Sequence, residues 1–66
     1  MTALQQMVLD IEARLSAASV SVNAFCAEVG INRSTWQRWK NGAYKEIYTS
    51  THERVLEVAD RVAPKE

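Results

Sequence analysis

"SVNAFCAEVGINRSTWQRWKNG", residues 21–42, holds two short apolar-faced segments divided by a single glycine. Ser21 is a helix-start residue, and Val22, Phe25, Cys26 and Val29 follow at the three- and four-residue spacing of one helical face. Gly30 then suits the left-handed conformation that stops a helix. Asn32 offers an N-cap for a second helix, and Trp36 and Trp39 share one of its faces. Asn41-Gly42 closes it. The same dipeptide also marks hairpins, but its flanks here do not alternate apolar and polar residues as strands require. The pattern predicts helices over about 22–29 and 33–41.

Outside this stretch the helical period continues. Leu4, Met7, Val8, Ile11, Leu15 and Ala18 recur at 3,4 spacing behind a Thr2/Gln5 capping box, which predicts a helix over about 3–17. Residues 43–49, AYKEIYT, form an aromatic-rich connector. Ser50-Thr51-His52-Glu53 has the form of a capping box opening a helix over about 51–63 through Val55, Leu56, Ala59, Val62 and Ala63, with Pro64 closing it. The expected fold is all-α, a small bundle of four or five helices forming one domain over residues 1–66.

Composition excludes several functions. A chain with 47% hydrophobic and 24% charged residues is globular, not disordered. One Cys allows no internal disulfide, and one Cys with one His cannot close a structural zinc site. No apolar stretch approaches the ~20 residues that span a bilayer, and Asp10 and Glu12 interrupt any signal-peptide run. A cytoplasmic location, with no membrane partner, is expected. No His-nucleophile pair, phosphate-binding glycine loop or metal-ligand cluster is present, so the chain is not expected to be an enzyme. No catalytic residue, metal, cofactor or small-molecule substrate is assigned. Cys26 reads as a small buried hydrophobe, because no neighbouring cation is evident in sequence.

Formal net charge is zero, yet the charge is segregated. Residues 31–45 hold Arg33, Arg38, Lys40 and Lys45 with no acid, while the segments on both sides are net acidic. The acids of the first and last helices read as solubilising surface. On the third helix the face opposite the two Trp is Arg33, Ser34, Gln37, Arg38 and Asn41, without an apolar member. Arg pairs bidentately with guanine O6 and N7, Gln with adenine N6 and N7, and Ser with several base edges. A helix, a glycine-centred turn and an exposed helix of that chemistry make the layout of a helix-turn-helix, whose second helix fits the major groove. The aromatics would fix this helix to the domain while its charge faces DNA.

At the level of the motif, residues 21–42 resemble the helix-turn-helix of the lambda-repressor-like proteins, the phage repressor and Cro group of transcription regulators. That resemblance implies base-reading positions at Arg33, Ser34, Gln37 and Arg38 and a phosphate contact at Asn41. It implies a further phosphate anchor at Asn23, beside the N-terminus of the second helix, and backbone contacts from Tyr44 and Lys45 in the following loop. The expected function is a sequence-specific regulator that binds double-stranded DNA, a phage or prophage operator of pseudo-palindromic form, as a homodimer. Tyr44, Ile47 and Tyr48 either cover the core or belong to a dimer contact made by the connector or the last helix. The alternative is a protein-interaction module on the same scaffold, antitoxin-like or an anti-repressor adaptor, that does not read DNA.

Overall fold

Ala3–Ala17, Val22–Val29, Arg33–Lys40 and Thr49–Val62 form helices α1 to α4 in a computed structural model that describes residues 2–44 and 47–64. No strand occurs among the described residues, so the fold is all-α. The first three helices start where their local chemistry says they should. Thr2 Oγ1 accepts from the Gln5 amide at 3.1 Å, and Gln5 Oε1 accepts from the Thr2 amide at 2.9 Å. Ser21 Oγ accepts from the Ala24 amide at 3.1 Å. Asn32 holds the N-cap position of α3 with extended backbone, but its side chain makes no capping bond.

The ends of α1 and α3 share one device. At the end of α1 the Ser19 amide donates to Ser16 and the Val20 amide to Leu15, with Ser19 left-handed at φ 59°. At the end of α3 the Gly42 amide donates to Trp39 and the Ala43 amide to Arg38, with Gly42 at φ 83°. Both are Schellman closures, which satisfy carbonyls that the helix leaves unpaired. Gly30, at φ 91°, ends α2, and the Gly30 and Ile31 amides both reach the Cys26 carbonyl.

Helix α4 departs from its sequence pattern. It begins at Thr49 with Tyr48 as N-cap and no side-chain capping bond, so Ser50 and Glu53 lie inside the helix and are exposed. The cause is tertiary. Ile47 packs against the core, and the His52 amide closes onto the Tyr48 carbonyl at 2.9 Å, which starts the first turn before the Ser50 signature. Its inward stripe is Val55, Val58, Ala59 and Ala63, with Val62 at the margin. Leu56, expected in the core, is 37% exposed beside Met7 and Ile11, and Val58 takes its place inside. The last residue of α3 is Lys40, with Asn41 as its C-cap.

One core joins the four helices. Leu4, Val8, Ile11 and Leu15 from α1 meet Phe25, Cys26 and Val29 from α2, Trp36 and Trp39 from α3, and the α4 stripe. Phe25 and Trp36 pack edge to face at 5.2 Å, and the two indoles follow at 5.8 Å. Such an edge-to-face pair adds about 0.5–1.5 kcal/mol beyond its area. Because α1 packs on both α3 and α4, and α2 on both as well, α3 is held from one side and presents the other.

Candidate nucleic-acid interface

The Trp pair sets the direction of α3. Trp36 is fully buried and Trp39 nearly so, which turns Arg33, Ser34, Gln37, Arg38 and Asn41 outward, and all five are exposed. Gln37 Nε2 lies 3.4 Å from Asn41 Oδ1 along this face. Arg38 makes no ion pair or side-chain hydrogen bond among the described residues.

Asn23 and Arg33 are brought together. They sit in the first turns of α2 and α3, and Arg33 Nη1 donates to Asn23 Oδ1 at 2.9 Å across the exposed surface. The two positions, assigned separately to a phosphate and to a base, form one hydrogen-bonded unit. The bond restrains a long, rotamer-rich side chain and leaves the other guanidinium N–H groups free to donate. Tyr44 is 46% exposed just beyond α3. Lys45 lies outside the described residues.

Lys40 points elsewhere. Its Nζ is 3.0 Å from Glu12 Oε1, on the side of α3 that faces α1. The other carboxylate oxygen, Oε2, accepts from Trp36 Nε1 at 3.1 Å. Glu12 is therefore not simply solubilising surface, as its charge alone implied. A buried indole N–H needs an acceptor, and position 12 flanks the Val8–Leu15 stripe of α1, four residues after one and three before the other. An acid on the border of an apolar stripe, in a chain with an inward Trp, is the signal that identifies it. Gln5 adds a third tie, with Nε2 donating to the Lys40 carbonyl at 3.3 Å.

The other ion pairs join helices away from α3. Arg14 pairs with Asp60 at 2.8 Å and donates Nε to the Ala63 carbonyl, while Arg61 pairs with Glu28 at 2.8 Å. Arg54 Nη1 reaches the Val29 carbonyl at 3.5 Å, where a cation suits the negative end of α2. Exposed positive charge on α3 thus comes from Arg33 and Arg38. Cys26 is buried, and burial pushes its thiol above the ordinary value. Arg33 pulls in the opposite direction, a cation that tertiary packing brings near it, and Glu12 pushes the thiol up further. Burial prevails, and such a thiol is unreactive.

Of Tyr44, Ile47 and Tyr48, one is placed against the core. Ile47 covers the core, whereas Tyr48 is 84% exposed and lines an open groove with Thr35, Trp39 and Tyr44. Among the described residues no helix is long and apolar enough to cross a membrane, and no group of three His, Cys, Asp or Glu side chains is placed to hold a metal. No protein-family model matches this chain, and no curated protein or solved structure matches it either.

Proposed function

We propose that this chain binds double-stranded DNA through a helix-turn-helix formed by α2, the Gly30 turn and α3, and regulates transcription in the manner of the lambda-repressor-like proteins. One observation carries the proposal. With the indoles of Trp36 and Trp39 buried, α3 offers Arg33, Ser34, Gln37, Arg38 and Asn41 to solvent with no acid among them. Those donors suit guanine and adenine edges in a major groove. Phosphate contacts, with Asn23 hydrogen-bonded to Arg33 and Tyr44 in the loop after α3, would supply affinity, and base contacts would supply specificity. Two copies, with recognition helices about 34 Å apart, would read a pseudo-palindromic operator.

Selection of bound duplexes from a random pool, followed by affinity measurement across salt concentrations, tests the proposal. Affinity should fall steeply with salt, with a log–log slope of about −0.9 for each phosphate neutralised. Arg33→Ala should cost about 1–3 kcal/mol on the selected duplex and relax preference at one base pair. Equal weakening on every duplex would remove Arg33 from base reading. The exposed Tyr48 and its groove favour the second reading, a protein-binding adaptor on the same scaffold. A flat salt response on all duplexes would select that adaptor.

A further inference from the structure

We infer that Glu12 is a positioning residue for DNA reading, a role that rests on the DNA-binding proposal above. Its two carboxylate oxygens grip α3 at Trp36 Nε1 and Lys40 Nζ, at 3.1 and 3.0 Å. Trp36 and Lys40 are four residues apart, so the two grips stand one turn above the other on the same helix face. Two anchors from one group fix both the rotation of α3 about its axis and its slide along α1. Gln5 holds the Lys40 carbonyl from the same helix. Among the described residues this is the ion pair that reaches α3, since the other two join α1 to α4 and α2 to α4.

Rotation matters because the reading groups are far from the axis. At roughly 6 Å from it, the radius of a helix with its side chains, a turn of about 10° moves a side-chain tip by about 1 Å, and a binding constellation tolerates about 0.5 Å. Hydrophobic packing of the Trp pair holds α3 to the domain but is not directional. The carboxylate supplies direction. Its charge also occupies Lys40, which keeps one cation of the helix away from indiscriminate phosphate contact.

Glu12→Ala and Glu12→Gln, compared with wild type, test the role on two duplexes: the best one selected from the random pool, and a scrambled duplex of equal composition. Glu12→Ala should keep its helical circular dichroism and lose about tenfold in discrimination between the two, with little loss on the scrambled duplex. Glu12→Gln retains an indole acceptor and drops the ion pair. It should keep the Trp36 indole N–H resonance near its wild-type shift and lose only about threefold. A folded Glu12→Ala that discriminates as wild type does overturns the role, and so does equal weakening on both duplexes. If Glu12→Ala does not fold, unchanged discrimination by Glu12→Gln overturns it. A wild-type chain that discriminates between no duplexes instead overturns the DNA-binding proposal itself, and this role with it.

Discussion

Gly30 and Gly42 both hold positive φ, 91° and 83°, but a methyl group would meet different surroundings at each. At Gly30 the nearest atom is Arg54 Nη1 at 3.9 Å, so Gly30→Ala is penalised by backbone conformation, about 1–2 kcal/mol. At Gly42 the methyl would lie 2.7 Å from Gln5 Nε2 and 3.0 Å from Gln5 Cδ. The end of Gln5, which holds the Thr2 amide and the Lys40 carbonyl, would have to shift, straining both bonds. Urea unfolding should therefore rank Gly42→Ala as the more destabilised of the two; the reverse order would contradict this packing. Cys26 adds a pH dependence. Its thiol is raised above the ordinary 9.0 by burial, so the folded chain keeps this proton where the unfolded chain loses it. That contribution is fully present below the ordinary value and is lost as pH rises through the raised one. Wild-type stability should fall more steeply than that of Cys26→Ala above about pH 9, the window set by the ordinary thiol pKa. Parallel profiles would show that the thiol does not contribute.

At the scale of the helix, start and stop signals are local chemistry, and most of them lie where the sequence puts them. Thr2 and Ser21 cap as their patterns predict, because an N-cap needs only a side chain three residues from the amide it accepts. Ser50 fails for an equally physical reason. The Ser-x-x-Glu pattern describes a competent cap but does not exclude an earlier start, and α4 starts at Thr49, two residues after Ile47 packs on the core. Ser21→Ala should lower stability by about 1 kcal/mol. Ser19→Gly should act in the opposite direction. Ser19 occupies the left-handed position of the α1 closure, where glycine avoids a steric cost of about 1–2 kcal/mol but loses more backbone entropy on folding, leaving a gain of up to about 1 kcal/mol. Thermal melts should move down for the first variant and up for the second. A lower midpoint for Ser19→Gly would mean that the Ser side chain contributes something the closure does not explain.

Across the whole molecule, stability and binding use charge differently. The core that joins all four helices is apolar, and no buried polar or charged residue occurs in it among the described residues. The exposed Arg61–Glu28 pair and the partly exposed Arg14–Asp60 and Lys40–Glu12 pairs join helices at or near the surface, where such pairs contribute little and are screened. Raising salt from low to near-molar concentration should therefore shift the unfolding midpoint only slightly. Under the proposed function the same change should abolish duplex binding, because polyanion affinity depends on counterion release. A protein whose stability collapsed in parallel with its binding would refute this separation.

The sequence by itself determined the element order, the all-α class and the sidedness of α3. Each of these follows from neighbours within a turn or two: caps, stop signals and the 3,4 spacing of the apolar residues. The outward placement of Arg33, Ser34, Gln37, Arg38 and Asn41 was legible for the same reason, since Trp36 and Trp39 read as core residues and are buried. Other features required the folded chain. Glu12 meets Trp36 across 24 residues, and Asn23 meets Arg33 across 10. The capture of Lys40 by α1, the exposure of Leu56 and the early start of α4 likewise depend on which helices lie side by side. Periodicity tells which face of a helix is buried. Which neighbouring helix covers that face, and at what rotation, is fixed only when all four pack at once, and so only the tertiary structure decided which polar groups along its border found partners.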